Sequence, residues 1–93
     1  MIADLSPSDR SKYACALQAS KLVDSGMKVG LGTGSTAYWL VHHLAERVRN
    51  EDLEFVGVPT STRTKNQAHA EGIKIISMDD AGRLDITIDG ADE

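Results

Sequence analysis

Met27-Lys28-Val29-Gly30-Leu31-Gly32-Thr33-Gly34-Ser35-Thr36, with the stretch Ala37–Val48 behind it, decides the fold. Met27 to Leu31 reads as a short buried strand that runs straight into glycines and hydroxyls. Beyond Thr36, the residues Ala37, Leu40, Val41, Leu44, Ala45 and Val48 fall at i, i+3, i+4, i+7, i+8 and i+11. That is one apolar stripe at helical period. A strand, a glycine turn and an amphipathic helix make the first half of a parallel βαβ unit.

Upstream, Ser6-Pro7-Ser8-Asp9 has the form of a helix start: Ser6 caps, Pro7 suits the first helical position, and Asp9 is acidic. The helix is expected to run to about Ser25, with Gly26 as its left-handed stop. Downstream, Arg49-Asn50-Glu51-Asp52 is a polar break, and Phe55-Val56-Gly57-Val58 is a second buried strand ended by Pro59. Ser61 or Thr62 caps a third helix that reaches Glu71 and stops at Gly72. Ile73 to Ile76 reads as a third strand, Met78 to Arg83 as a loop with room for one short turn, and Leu84 to Ile88 as a fourth strand. The order is βαβαββ after an amino-terminal helix. It predicts an open, mostly parallel, Rossmann-like α/β sheet flanked by helices.

Composition narrows the function classes. At 41% apolar residues, 93 residues suffice for one small core. Tyr13, Tyr38, Trp39 and Phe55 are the aromatics, so that core is aliphatic. A net charge of −4 without a Lys/Arg cluster argues against nucleic acid. No apolar run approaches the roughly 18 residues of a membrane span, and no signal peptide is expected. The single Cys15 excludes an internal disulfide and fits a reducing compartment. A cytoplasmic protein is the expectation.

Three polar or glycine-rich segments each follow a strand: Gly32–Thr36, Thr60–Thr64 and Asp89–Glu93. In a parallel sheet the strand carboxyl ends share one edge, where open α/β folds bind ligands. The glycines of the first segment allow a tight turn and close ligand approach. The next helix offers unpaired N–H groups, and Thr33, Ser35 and Thr36 add hydroxyls, so a phosphate monoester fits. A tight β–α turn whose hydroxyls only cap the helix fits the same residues. Walker chemistry is excluded because the loop has no Lys, and G-x-G-x-x-G fails because Ser35 takes the third glycine position counted from Gly30.

Asp89-Gly90-Ala91-Asp92-Glu93 places three carboxylates in five residues. Acid–base work on a sugar, a hard-metal site and a solvated acidic turn all use such clusters. Asp89 directly follows Ile88 at a buried strand's end, where an unpaired charge is costly. No nearby His or second acid cluster completes a metal sphere.

The stretches GLGTGST (residues 30–36), VPTSTRT (58–64) and LDITIDGADE (84–93), in this order and spacing, closely resemble the amino-terminal part of ribose-5-phosphate isomerase, type A. The similarity covers residues 1–93 in register. It implies an aldose–ketose isomerase of the non-oxidative pentose phosphate pathway, interconverting ribose 5-phosphate and ribulose 5-phosphate through an enediolate. It further implies no metal and no organic cofactor, a small-molecule pentose phosphate as partner, and a homo-oligomer, dimer or tetramer, in the full-length protein. By resemblance Thr33, Gly34, Ser35 and Thr36 bind substrate, and Asp89, Gly90, Ala91 and Asp92 line the sugar. Asp89 and Asp92 assist ring opening and hold the reacting oxygens. Gly32, Thr60 and Ser61 join the site by a weaker match.

The family's KGGG-type loop, its glutamate base and a further phosphate-contacting lysine lie downstream of DGADE, and Glu93 does not match that base. The expectation is therefore an inactive fragment, the amino-terminal part of one Rossmann-like domain, truncated. It lacks the rest of that domain and a second, smaller one, and it is prone to associate through uncovered apolar surface. Two other classes remain open. One is a sugar-phosphate-sensing module; the other is a different enzyme on a related fold, such as an amino-sugar phosphate deaminase or a coenzyme A transferase. The DGADE stretch favours the isomerase.

The remaining residues have plainer readings. His42, His43 and His69 show no ligand-like spacing, and His42 and His43 are expected to point in different directions. Cys15 is expected to be a small buried thiol. Trp39 lies nearly opposite the Leu40/Val41/Leu44 stripe, which leaves it either exposed or against a missing partner. Arg63 and Lys65 either approach the phosphate or sit on a solvated helix face.

Overall fold

A computed structural model describes residues 6–88 of the chain. The elements are α1 (Pro7–Ser20), β1 (Lys28–Leu31), α2 (Gly34–Glu51), β2 (Val56–Pro59), α3 (Thr62–Ala70), α4 (Met78–Ala81) and β3 (Ile86–Ile88). The three strands form one parallel sheet in the order β2-β1-β3, so β1 is its centre. Leu31 pairs with Pro59 on one side and with Ile88 on the other. All three strand ends therefore reach the same edge, and the open parallel α/β architecture is as the sequence indicates. Among the described residues no helix is long and apolar enough to cross a membrane.

Helix α2 supplies more of the core than any other element. Leu40, Val41, Leu44 and Ala45 are fully buried and cluster with Val29 and Leu31 of β1, Phe55, Ile73, and Ala16 and Val23 from the α1 segment. Gly57 is a point of close approach: a Cβ there would meet Leu31 Cδ1 at 2.9 Å and Ile73 Cγ2 at 3.5 Å. Leu31 has no exposed surface to move into. Gly57→Val is therefore expected to destabilise the fold by about 1–3 kcal/mol through overpacking. A denaturant melt that leaves the midpoint unchanged would show slack in this packing.

Several boundaries depart from the sequence reading, each for a local reason. Helix α1 ends at Ser20, five residues before the expected Ser25. Arg47 Nη1 of α2 donates to the carbonyls of Ser20 (2.6 Å) and Val23 (2.7 Å), satisfying groups that another helical turn would use. The polar stretch 49–52 is not a break: α2 runs to Glu51, supported by the Arg47–Glu51 pair at 3.0 Å, and ends on Asp52 in the left-handed conformation.

The expected third strand, 73–76, is reduced to one bridge, Gly57 with Ile75. Gly57 N–H donates to Lys74 O (2.8 Å) and Ile76 N–H to Gly57 O (3.0 Å). The next rung would need an N–H from residue 59, which is proline and has none. Ser77 then caps α4 by accepting from Asp80 N–H, so the chain turns away. Cys15 is exposed, contrary to expectation, because α1 presents the neighbouring Ala16 to the core.

Trp39 also finds its partner within the chain. Its ring stands edge-on to Tyr13 of α1, with centroids 5.1 Å apart, and it packs against the core's rim. The face of α2 opposite the sheet is the one that α1 covers.

Candidate functional site

The end of β1 is stitched to both neighbours. Gly32 N–H donates to Ile88 O at 2.9 Å. On the other side Thr60 donates through both its N–H and its Oγ1 to Leu31 O, each at 3.0 Å. The Gly32–Thr36 turn thus leaves the sheet between the ends of β2 and β3. Asp89, Gly90, Ala91, Asp92 and Glu93 lie outside the described residues.

The turn opens directly into α2. Thr33 is the N-cap residue in extended conformation (φ −114°, ψ 178°), and its side chain makes no capping hydrogen bond. Gly34, the first helical residue, has φ +89°, a region that residues with a Cβ avoid. The first-turn N–H groups of a helix have no partner within the helix and carry the positive end of its dipole. No acidic residue stands in this turn. Into the same turn Lys12 reaches across from α1, its Nζ donating to Ser35 Oγ at 2.7 Å.

Residues of α3 brace the turn from the other flank. Ser61 Oγ caps α3 by accepting from Thr64 N–H (3.2 Å) and donates to Thr64 Oγ1 (3.0 Å). The buried Thr64 hydroxyl in turn donates to Gly32 O at 3.1 Å. Thr60 and Ser61 therefore hold the loop through these bonds. Thr64→Val removes the hydroxyl at nearly constant volume and is expected to cost about 1–2 kcal/mol, one buried hydrogen bond and an orphaned partner. Urea denaturation checks this, and an unchanged midpoint would show that the hydroxyl chain does not brace the loop.

A cleft of about 230 Å³ lies where the two helix N-termini meet, lined by Thr33, Gly34, Tyr38, Ser61, Arg63, Thr64 and Gln67. Arg63 is thus beside the glycine turn while still exposed to solvent, whereas Lys65 lines a separate groove with Pro59, Thr60 and Asp80. The structure brings Gly32, Thr33, Gly34, Ser35, Thr36, Thr60 and Ser61 to one sheet edge. It adds Lys12, which the sequence reading missed. Nothing in the period of α1 marks Lys12; only the packing of α1 on α2 brings residue 12 to residue 35.

Chemically, the arrangement offers backbone N–H groups, hydroxyls and two cationic side chains around one turn, with acceptor carbonyls already engaged. It suits a compact anion of more than one negative charge.

An open parallel sheet whose middle strand ends in such a turn defines an α/β protein with its ligand crevice at the strand ends. By sequence and by fold the chain is similar to ribose 5-phosphate isomerases of type A. A sequence model of that family, described as ribose 5-phosphate isomerase A (phosphoriboisomerase A), matches residues 56–93. The ribose-5-phosphate isomerase A of Roseobacter denitrificans is 62% identical over all 93 residues of the chain, which spans 36% of that relative's length. Among solved structures, the ribose 5-phosphate isomerase A of Methanocaldococcus jannaschii superposes with a TM-score of 0.82 at 44% identity, over 88% of this chain and 36% of that one. A D-ribose-5-phosphate isomerase solved in complex with phospho-erythronic acid gives 0.83 at 38% identity, again over 88% of this chain and 36% of the other. The chain thus spans about a third of the length of the relatives it matches.

Proposed function

We propose that the protein carrying this sequence interconverts ribose 5-phosphate and ribulose 5-phosphate, and that residues 32–36 with Lys12 hold the substrate phosphate. The observation that carries this reading is the Lys12–Ser35 contact at the N-terminus of α2, beside a glycine that only an open turn requires. An ammonium at a helix N-terminus opposes the positive end of the dipole, an arrangement that a bound anion would offset. The name of the relative bound to phospho-erythronic acid supports the same chemistry, since that compound carries a phosphate at one end and a carboxylate at the other.

In this reading the phosphate anchors one end of the open-chain sugar and directs C1 and C2 toward the residues after β3. A base removes the C2 proton of the aldose and the enediolate forms; the proton returns at C1 while the O2 proton passes to O1, so that C2 becomes the carbonyl and the C1 aldehyde a hydroxyl. Asp89 and Asp92 assist ring opening and hold the two reacting oxygens, with Gly90 and Ala91 lining the sugar. The 93 residues form part of one Rossmann-like domain, and the whole protein works as a homo-oligomer in the cytoplasm without metal or organic cofactor in the reaction.

The test is conversion of ribose 5-phosphate in deuterated water. Isomerisation with solvent deuterium entering the sugar, and no comparable turnover of unphosphorylated ribose, is the expected result. Tight binding of the sugar phosphate without turnover by the intact protein would favour a sensing module instead.

A further inference from the structure

We propose that His42, His43 and Glu46, on the flank of α2 beside α1, form a binding site for a borderline divalent transition ion, with Zn²⁺ the best match. His42 Nε2 lies 3.0 Å and His43 Nδ1 3.9 Å from Glu46 Oε1. The three donor atoms all fall within 4.8 Å of one another. A tetrahedral ion with bonds of about 2.1 Å needs donor separations near 3.4 Å, so two edges are close to correct and the third closes by a small ring rotation. Adjacent helical positions were expected to diverge. They converge here because Glu46 is four residues from one imidazole and three from the other, and both spacings share a helix face.

The second layer is already in place. His43 Nε2 lies 3.1 Å from Tyr13 O. A carbonyl only accepts, so Nε2 carries the proton and Nδ1 presents its lone pair toward Glu46. Metal-bound imidazoles are oriented in this way by a backbone carbonyl on the far nitrogen. Burial pushes the His43 pKa down, against the Tyr13 hydrogen bond and the Glu46 charge and together with His42, which keeps the ring neutral. Arg47 follows Glu46 directly, but its guanidinium is engaged by Ser20 O, Val23 O and Glu51. His42 and Glu46 are 36% and 45% exposed, so water reaches the fourth coordination position.

An ordinary i,i+4 helix pair needs one acid and one base. A second imidazole, tautomerically fixed with its lone pair on the same carboxylate, exceeds that need. Binding would replace the direct His42–Glu46 contact with bonds from both side chains to the ion. It would also clamp α2 to α1 through the His43–Tyr13 bond. The site lies about 12 Å along α2 from the glycine turn, eight residues at 1.5 Å each, and it takes no part in the proposed isomerisation.

The experiment is a Zn²⁺ titration of the intact protein in a Cys15→Ser background, which removes the exposed thiol as a competing ligand. It is followed by calorimetry, by Tm, and by the visible spectrum of Co²⁺ as substitute. Saturable binding, a raised Tm and a Co²⁺ spectrum with imidazole ligation are expected. His42→Ala and Glu46→Gln should each weaken affinity at least about tenfold. Both side chains are partly exposed, so these variants are expected to fold; circular dichroism confirms it. Absence of binding, or affinities equal in the parent and both variants, overturns the proposal.

Discussion

Replacing Lys12 with alanine is expected to lower kcat/KM for ribose 5-phosphate by roughly 10- to 150-fold in the protein carrying this sequence, the equivalent of about 1.5–3 kcal/mol for a charged hydrogen bond. Lys12 is half-buried, and its ammonium sits 2.7 Å from Ser35 Oγ in the first turn of α2. A phosphate held by that turn would take this charge as a direct or hydroxyl-relayed partner. The loss should fall mainly on KM and should weaken with salt, because the interaction is ionic. Lys12→Arg restores the charge with a different geometry and should recover part of the loss. Steady-state kinetics with a parallel thermal melt separate the two readings of this residue. If Lys12 only fastens α1 to α2, Tm falls while kcat/KM changes by less than about threefold, under 1 kcal/mol.

The largest expected effect on stability comes from Leu44→Ala. Leu44 is fully buried and sits in the middle of the α2 stripe with Leu40 and Val41, over Val29 and Leu31 of the central strand. Truncating it removes apolar contact and leaves a cavity that the sheet cannot fill, which costs about 2–5 kcal/mol. Small domains have only about 5–15 kcal/mol in total. A protein weakened this far should show a much larger unfolded population and faster proteolysis. Chemical denaturation checks the value. A loss under about 1 kcal/mol, the range of an exposed position, would mean that α2 does not pack on the sheet as described.

The sequence was most legible where one local rule governs. The α2 stripe marks a buried face because helical period and burial coincide. Ser6 and Ser61 mark helix starts because their side chains accept the backbone N–H three residues on, from Asp9 and Thr64. It was least legible where a distant residue decides. Arg47 ends α1 at Ser20 from another helix, and Pro59 limits the pairing of residues 73–76 from a neighbouring strand. The turn itself was visible in its glycines and hydroxyls. Lys12, which completes it, was not, because a single cation on a polar helix carries no periodic signal. His42 and His43 were hidden for a related reason: their shared partner, Glu46, is visible only when helix spacing is counted from the acid.

The central claim is that the β1–α2 turn with Lys12 is an anion site. An amide-resolved NMR titration of the intact protein with inorganic phosphate, then with phospho-erythronic acid, tests it most directly. Saturable shifts at the backbone N–H groups of Gly34, Ser35 and Thr36, lost in Lys12→Ala, are the predicted result. Saturable binding whose shifts lie elsewhere, with Gly34–Thr36 unmoved, would contradict it.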